Sequence, residues 1–306
     1  MTQDSEKFSP VQNGKASQQK NGRIVRDLTG LRISDDDFAR FAKLIYTHCG
    51  IKMPPQKRSM LEARLRKRLR ALGLPSYEKY REYLFSKDGM VEELINMIDV
   101  VTTNKTDFFR EPRHFDYMVQ NALPTLIPET GAGIERPLRI WSAGCSTGEE
   151  PYTIAMFLDD FSWVNKQLEF EILATDISTQ VLEKAMLGIY HSSKIEPVPD
   201  YYRKKYLLKN KNSEIPQVRI VPKLREKIRF ARVNFMEEAF DVGEQKDIIY
   251  CRNVIIYFDR ATQERFLDRL CRCLRRGGFL FMGHSETLSG MPLPIKQLAP
   301  AVYVKI

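Results

Sequence analysis

The sequence predicts an α/β protein whose parallel sheet has helices on both faces, with a small all-helical domain before it and a small β-rich insertion within it. Three observations support this prediction. The chain has 306 residues, enough for one large and one small folded unit. Residues 34–98 show only helical periodicity. After Pro137, buried strands alternate with helices, which is typical of a parallel sheet.

The composition is that of a globular protein, with 43% hydrophobic and 28% charged residues. No apolar run reaches the roughly 18 residues that a membrane span requires, and the N-terminus lacks the apolar stretch of a secretory signal. The five cysteines show no disulfide or zinc spacing, and Cys271 and Cys273 fall in an apolar helical pattern. We therefore expect a cytoplasmic protein without a metal site. The net charge of +9 predicts an acidic partner: nucleic acid, an anionic membrane surface or an acidic protein.

The N-terminal part of the chain divides into a tail and a helical domain. Residues 1–30 contain few large apolar residues, and we interpret them as a disordered tail. Residues 31–100 form the helical domain. Ser34 precedes three aspartates and predicts a helix start, after which apolar residues recur at helical spacing as far as Ile45. Three further helices are predicted: one after Pro55 with leucines at positions 61, 65, 69 and 72, and two at residues 76–85 and 90–98.

The remainder of the chain is predicted to contain a segment that connects the two domains, followed by the larger domain. Residues 101–136 hold a linker and one helix, and the larger domain covers residues 137–306. Its strands are predicted at residues 138–141, 170–175, 228–233, 247–251, 279–282 and 301–306, and its helices at residues 149–161, 179–187 and 261–274. A stretch rich in Tyr and Lys at about residues 190–227 interrupts the alternation and predicts the β-rich insertion.

The turn after the first strand predicts a nucleotide-cofactor site, because such cofactors bind at the carboxyl ends of parallel strands. Small residues are needed there, since a side chain would keep the backbone away from the ligand. Gly144 and Gly148 meet this need, although the turn is not the dinucleotide motif GxGxxG. Glycines are common in such turns, so the turn alone leaves a cofactor site and a plain structural turn equally open.

Polar residues after the later strands point to the same crevice. Asp176 follows the second strand, where its carboxylate either binds two ribose hydroxyls or caps the next helix. We favour the ribose role, because the acid accompanies a small-residue turn. Asn234 and Phe235 end the third strand, where they either flank an adenine or simply turn the chain. Asn253 and Tyr257 interrupt an apolar run, and buried polar groups of this kind need a reason.

Four motifs occur in a distinctive order: TTNKTDFFRE at 102–111, WSAGCSTGEEPY at 141–152, ATDI at 174–177 and CRNVIIYF at 251–258. Together they resemble the CheR family of chemotaxis-receptor protein-glutamate O-methyltransferases, and the resemblance runs from about residue 33 to the C-terminus. It implies a Rossmann-like class I methyltransferase sheet with S-adenosylmethionine as the methyl donor. It also implies transfer to glutamate side chains of methyl-accepting chemotaxis receptors, which gives glutamate methyl esters and S-adenosylhomocysteine.

The resemblance also implies the site residues. Residues 101–136 would contribute to the cofactor site, and Arg110 and Tyr257 would act near the transferred methyl group as catalytic residues. Cofactor contacts are implied for Asn104, Thr106, Arg110, Ala143, Gly144, Glu149, Glu150, Asp176, Asn234, Phe235, Arg252 and Asn253. Of the paired glutamates, we expect Glu149 to make the contact because it lies nearer the loop.

The implied reaction needs no general base, because a glutamate with a pKa of about 4.3 is ionised near pH 7. Catalysis then depends on aligning the carboxylate, methyl carbon and sulfur and on removing water. Arg110 is suited to bind a carboxylate through a fork of hydrogen bonds, and Tyr257 to orient its other oxygen. The four histidines are scattered. Only His284 falls near the predicted crevice, and we interpret it as structural.

The most basic segment is residues 57–70, with seven cations and one acid. In a helix its leucines form one stripe and leave the cations on the remaining face. The resemblance offers acidic receptor helices as the partner, and the implied substrate-binding residues are Arg64, Arg66, Lys67, Arg68 and Arg70. A solvated helix face and nucleic-acid binding are the alternatives, and we expect no nucleic-acid partner. The sequence shows no oligomerisation seam, so we expect a monomer.

Two other functions stay open as alternatives. One is a methyltransferase that acts on a nucleic acid or another protein, although residues 252–255 lack the Asn/Asp-Pro-Pro-aromatic motif of DNA amino-methylating enzymes. The other is a non-catalytic cofactor-binding module, against which the intact Arg110 and Tyr257 argue. Some family members also dock a receptor C-terminal pentapeptide on the β-rich insertion. The hairpin tip at residues 209–216 does not decide this point, and we favour an enzyme without that tether.

Overall fold

The computed structural model describes residues 28, 30–165, 168–210 and 214–306. Almost all of the predicted disordered tail, and the centre of the predicted hairpin tip, lie outside these residues. The described residues form an all-helical unit, a seven-stranded sheet with helices against it, and a small three-stranded sheet. The predicted fold class is confirmed.

The helical domain contains α1 (Asp35–Cys49), α2 (Arg58–Leu72), α3 (Tyr77–Leu84), α4 (Lys87–Glu92) and α5 (Leu94–Val101). Helix α1 begins after Ser34, whose Oγ accepts a hydrogen bond of 3.1 Å from the backbone N–H of Asp37. It ends at Gly50, whose φ of 68° lies in the left-handed region. The leucines of α2 at positions 61, 65 and 69 are buried in the domain core, as their stripe predicts.

One predicted helix is divided in two. A single helix was expected at residues 90–98, but α4 ends before Glu93 and α5 begins after it. The buried carboxylate of Glu93 accepts hydrogen bonds from Arg68 at 2.7 Å and from Tyr80 at 2.9 Å. The backbone φ of Glu93 is −110°, which departs from helical geometry. The break thus coincides with a buried ion pair that helical periodicity does not reveal.

The two domains are joined by an extended segment and a helical one. Residues 103–107 contain neither helix nor strand. The helical part consists of α6 (Arg113–Tyr117), a π-helical turn (Met118–Ala122) and α7 (Leu123–Thr130). Phe115 packs in the core of the larger domain, so the helical part of the connection is anchored to that domain.

The larger domain alternates strands and helices as its sequence predicts. Its first half contains β1 (Leu138–Ala143), α8 (Glu149–Asn165), β2 (Phe170–Asp176), α9 (Thr179–Leu187), β3 (Ile189–His191), α10 (Asp200–Tyr206), β4 (Leu207–Lys209), β5 (Gln217–Ile220) and α11 (Pro222–Arg225). Its second half contains β6 (Ile228–Arg232), β7 (Lys246–Cys251), α12 (Arg260–Cys273), β8 (Leu274–Met282), β9 (Ile295–Ala299) and β10 (Val302–Lys305).

The main sheet has the strand order β6-β2-β1-β7-β8-β10-β9. The first five strands are parallel, whereas β10 is antiparallel to both β8 and β9. The alternation predicted a parallel sheet, and that prediction is wrong for the terminal strand β10; β9 was not predicted. Residues 283–301 contain β9 but no crossover helix, which a parallel return would require. Strand β1 lies between β2, which follows it in the chain, and β7, to which the chain returns after β6. The strand order reverses at this point, so the carboxyl ends of these strands open into one crevice.

The predicted β-rich insertion corresponds to a separate antiparallel sheet of order β3-β5-β4. This sheet packs on the large core through buried residues such as Leu207 and Val218. Among the described residues, no helix has both the length and the apolar character needed to cross a membrane.

Candidate active site

A cavity of about 260 Å³ lies at the carboxyl ends of β1, β2 and β7. Its walls come from the end of α1, from the extended connection and from the segments that follow these strands. The lining includes ten of the twelve residues predicted to contact a cofactor: Asn104, Thr106, Arg110, Gly144, Glu150, Asp176, Asn234, Phe235, Arg252 and Asn253. Tyr257 also lines the cavity, whereas Ala143 and Glu149 do not.

The turn after β1 brings its backbone close to the cavity. Gly144 has a φ of 81°, and a Cβ atom there would lie 2.6 Å from Cγ2 of Val254. Only glycine fits, because both the conformation and the space exclude a side chain. Gly148 also has a positive φ, of 95°, but it faces Ala185 and Tyr190 rather than the cavity. The two glycines therefore have different roles. Gly144 leaves space for the cavity, and Gly148 lets the turn pack closely against Ala185 and Tyr190.

The structure separates the paired glutamates. The carboxylate of Glu150 lies on the cavity wall and accepts hydrogen bonds from Oγ of Ser142 at 2.7 Å and from Nε of Arg252 at 2.6 Å. Glu149 is buried beside Thr147, whose hydroxyl donates to it at 2.6 Å, and burial raises the pKa of Glu149. The geometry therefore favours Glu150 over Glu149, contrary to our expectation from their distance along the chain.

Asp176 lines the cavity and braces the turn after β1. Its Oδ2 accepts a hydrogen bond of 2.9 Å from the N–H of Ser146, and its Oδ1 accepts one of 3.0 Å from Ser178. Burial raises the pKa of Asp176, and these backbone donors oppose the rise. The first residue of α9, Thr179, is instead held by Asp99 of α5, which accepts from its N–H at 2.9 Å and its hydroxyl at 2.8 Å. Helix capping alone thus does not account for Asp176.

The connecting segment closes one side of the cavity. Arg64 of α2 donates hydrogen bonds to the carbonyl oxygens of Val101 and Thr102. Deeper in the site, the hydroxyl of Ser146 donates to the carbonyl of Asn104 at 2.9 Å. The half-buried Arg110 donates to a nearby carbonyl through Nη1 at 3.3 Å and borders the cavity. The connection is therefore held from both domains.

Arg252 joins this connection to the sheet. Besides its bond to Glu150, it donates through Nη1 to the carbonyl of Arg110 at 2.7 Å, and its guanidinium lies 5.2 Å from the ring centroid of Phe115. The same Nη1 lies 3.4 Å from a carboxylate oxygen of Glu111 and 3.4 Å from Nδ1 of His114. These contacts make Arg252 a structural part of the wall, and a cation in this position disfavours a metal ion between Glu111 and His114.

The segment after β7 delivers Asn253 and Tyr257 to the cavity. Asn253 has a φ of 59°, in the left-handed region. Tyr257 ends a 3₁₀ turn, and its carbonyl accepts a hydrogen bond of 2.9 Å from the N–H of Lys52. Nζ of Lys57 lies 5.9 Å from the centroid of the Tyr257 ring. The helical domain therefore contacts the segment that carries the predicted catalytic tyrosine.

Asn234 and Phe235 line the opposite wall. Nδ2 of Asn234 donates to the carbonyl of His48 at 2.8 Å, while its Oδ1 accepts from the N–H of Met236 at 3.0 Å. The amide thus ties the sheet to the end of α1. Phe235 is buried against Phe266 with ring centroids 4.7 Å apart. Together they present one polar and one apolar surface to the cavity.

Sequence reasoning missed the contribution of the helical domain to this wall. Cys49 and Ile51 line the cavity from the end of α1, and Ile177 lines it from the end of β2. Burial raises the pKa of the Cys49 thiol to about 12, so it forms a neutral, weakly polar surface. The residues around Gly50 belong to no recognisable motif, and no sequence signal identified them.

The basic segment of α2 divides into two sets. Arg64 holds the connection, and Arg68 makes two hydrogen bonds of 2.7 Å to Glu93. Lys67 and Arg70 are exposed, and Arg66 is partly exposed. Two of the five predicted substrate-binding cations are therefore committed to contacts within the protein.

The cavity fits a nucleotide-type cofactor. Gly144 leaves room for a ligand where a Cβ would collide with Val254, and acidic and amide side chains stand beside apolar ones. Asp176 and Glu150 would accept hydrogen bonds from hydroxyl or amino groups, while Phe235 offers an apolar face.

Comparison with known proteins gives the family context. The model of the CheR methyltransferase SAM-binding domain matches residues 104–304, and that of the CheR methyltransferase all-alpha domain matches residues 36–102. A chemotaxis protein methyltransferase of Borreliella burgdorferi is 37% identical over 276 residues, which is 90% of this chain and 96% of the relative. One of Salmonella typhimurium is 37% identical over 273 residues, covering 89% of this chain and 91% of the relative. One of Escherichia coli is 38% identical over 261 residues, covering 85% and 87%.

Proposed function

The chain belongs to the CheR methyltransferase family and is an S-adenosylmethionine-dependent methyltransferase, and on that premise we propose that it methylates glutamate side chains of chemotaxis receptors. The products are glutamate methyl esters and S-adenosylhomocysteine. One observation carries the proposal: a single cavity at the carboxyl end of the sheet collects residues from all four sequence motifs. Arg110 and Tyr257 line it, and neither a paired nucleophile nor a general base is needed.

The chemistry follows from the charge state of the acceptor. When bound, S-adenosylmethionine supplies a sulfonium-activated methyl group. A glutamate acceptor with a pKa of about 4.3 is already an anion near pH 7, so its oxygen forms the new C–O bond without losing a proton. Arg110 binds and orients this carboxylate, because a guanidinium presents two parallel donors. Tyr257 orients the second oxygen, and the walls of the cavity exclude water.

The cofactor contacts follow from the arrangement of the walls. Asp176 would accept the ribose hydroxyls, Asn234 and Phe235 would flank the adenine, and Glu150 would contact the donor beside Arg252. Asn104, Thr106 and Asn253 complete the set from the connection and from the end of β7. All eight of these residues line the cavity, which supports the assignments. We omit Ala143 and Glu149, which lie outside it.

The receptor would bind on the exposed side of α2. Arg66, Lys67 and Arg70 remain available there, and an acidic receptor helix has complementary charge. Lys57 near Tyr257 extends the positive charge towards the cavity. The methylated segments belong to the cytoplasmic part of the receptor, so the enzyme would work in the cytoplasm.

A labelling assay tests the proposal. The protein is incubated with S-adenosylmethionine labelled on its methyl group and with a receptor cytoplasmic domain, and the labelled receptor is then treated with alkali. A glutamate ester releases volatile methanol, whereas an N-methyl group does not. Alkali-stable label would instead indicate another methyltransferase activity, and the absence of label would indicate a binding module. Arg110→Ala and Tyr257→Phe are expected to lower turnover about 100-fold and about tenfold, from the loss of a charged and a neutral hydrogen bond.

A further inference from the structure

A buried carboxylate lies behind the segment that follows β7. Glu286 comes four residues after the end of β8 and is only 6% exposed. Its Oε2 accepts hydrogen bonds from the backbone N–H groups of Gly283 at 2.7 Å and of Asn253 at 2.8 Å. Its Oε1 accepts another from the N–H of Ile255 at 2.9 Å. One side chain therefore ties the end of β8 to the end of β7.

The segment that Glu286 holds is part of the cavity wall. Asn253, Val254, Ile256 and Tyr257 all line the cavity, and two of the N–H groups bound by Glu286 lie on either side of Val254. Asn253 has a φ of 59°, in the left-handed region, which is uncommon for a residue with a side chain although asparagine adopts it more readily than most. The hydrogen bonds that Glu286 accepts from the N–H groups of Asn253 and Ile255 hold this conformation.

The packing around this contact leaves little freedom. A Cβ atom on Gly283 would lie 2.8 Å from Nδ2 of Asn253 and 2.8 Å from Oε2 of Glu286. The amide of Asn253 is therefore closely packed against the end of β8. A carboxylate suits this position, because it accepts several hydrogen bonds and donates none. Burial raises the pKa of Glu286, and the surrounding backbone N–H groups oppose this rise.

We propose that Glu286 is a positioning residue for methyl transfer, which fixes Asn253 against the bound methyl donor and keeps Tyr257 in place for the acceptor. The role of Glu286 in placing Tyr257 rests on the proposed receptor substrate. Its role in fixing Asn253 does not, because that role concerns the binding of S-adenosylmethionine, which is measured in the absence of any receptor.

The first test is the affinity of Glu286→Gln for S-adenosylmethionine, measured by calorimetry. Glutamine keeps the shape but replaces one acceptor oxygen with an NH₂ group that faces a backbone N–H. Affinity is expected to fall about tenfold, the usual effect of losing one hydrogen bond to a charged group. An unchanged affinity in a folded Glu286→Gln protein would overturn the proposal.

Asp247→Asn provides a matched control. Asp247 is also buried and accepts hydrogen bonds from Arg136 at 2.6 Å and from the backbone N–H of Arg139 at 2.9 Å, but it lies at the opposite end of β7. The same chemical change there should lower the Tm while leaving the affinity for S-adenosylmethionine within about twofold. If this control weakened binding as much as Glu286→Gln does, the effect would be one of general stability and the proposal would fail.

A double-mutant cycle tests whether Glu286 acts through Asn253. In an Asn253→Ala background, Glu286→Gln is expected to change the affinity by less than about twofold, because the side chain being positioned is gone. A further tenfold loss in that background would contradict the proposal. If Glu286→Gln does not fold, Gly283→Ala disturbs the same contact, because its methyl group would press on both the Asn253 amide and the Glu286 carboxylate. It too must weaken binding, and wild-type affinity in that variant would count against the role.

Discussion

The carboxylate of Glu150 accepts a 2.6 Å hydrogen bond from Nε of Arg252. This contact joins α8, the helix that follows β1, to the end of β7. Arg252 in turn holds the carbonyl of Arg110 at 2.7 Å. The residue pair thus links three of the four sequence motifs within one wall of the cavity. Glu149 takes no part in this network, although it is adjacent to Glu150 in the chain.

The paired glutamates should therefore differ in their effect on cofactor binding. Glu150→Gln is expected to weaken the affinity for S-adenosylmethionine about tenfold or more, because it removes a charged acceptor from the cavity wall. Glu149→Gln should leave that affinity within about twofold, since its carboxylate binds Thr147 away from the lining. Calorimetric titration of both variants checks the prediction, and equal losses in the two would contradict it.

Gly144 should be required for cofactor binding rather than for folding alone. Gly144→Ala places a methyl group 2.6 Å from Val254 and should weaken S-adenosylmethionine binding at least about tenfold. Gly73→Ala is a matched control, because Gly73 also has a positive φ, of 69°, but open space around its Cβ position. It should lose about 1 kcal/mol of unfolding free energy and keep its affinity. Adding Val254→Ala to Gly144→Ala should recover part of the binding, and its failure to do so would argue against a steric cause.

The cations of α2 should separate into structural and receptor-binding residues. Arg68→Ala leaves the buried Glu93 without its partner and should lower the unfolding free energy by about 3 kcal/mol. Lys67→Ala should change it by less than about 0.5 kcal/mol, because this side chain is exposed. Lys67→Ala should instead raise the KM for the receptor, by a factor that shrinks as salt is added. Denaturant unfolding and methylation kinetics at two salt concentrations distinguish these effects.

His114 should make the protein less stable in mild acid. Burial, together with the nearby Arg252 and His284, lowers the pKa of His114 to about 3 in the folded protein. The unfolded chain, with a histidine pKa of about 6.5, takes up a proton that the folded protein does not, so stability falls as pH decreases through this range. From about pH 6 to about pH 4, the wild type should lose about 1.4 kcal/mol per pH unit relative to His114→Gln. Denaturant titrations over this range would show parallel pH profiles if the histidine had no such role.

Local patterns in the sequence predicted the fold class and part of the cavity lining, and the resemblance to the CheR family implied the rest, including Arg110 and Arg252. Period-2 and period-3.6 spacing marks strands and helices, and the residues at strand ends face one crevice whatever the details of packing. The alternation did not predict the antiparallel pair β9 and β10, because pairing direction depends on how the chain returns to the sheet edge. Nor did the helical spacing reveal the break at Glu93, which accompanies a contact with Arg68 on another helix.

Local patterns predicted an α/β fold with Asp176, Asn253 and Tyr257 around a small-residue turn, and the resemblance of four motifs to the CheR family implied a methyltransferase. The tertiary structure decided which of two adjacent glutamates faces the cavity, because residues one apart on a helix point about 100° apart and only packing sets the rotation of that helix. It also decided that Arg64 and Arg68 form hydrogen bonds within the protein, and that Glu286 holds the segment after β7. Each of these contacts joins residues far apart in the chain, so no local pattern encodes it.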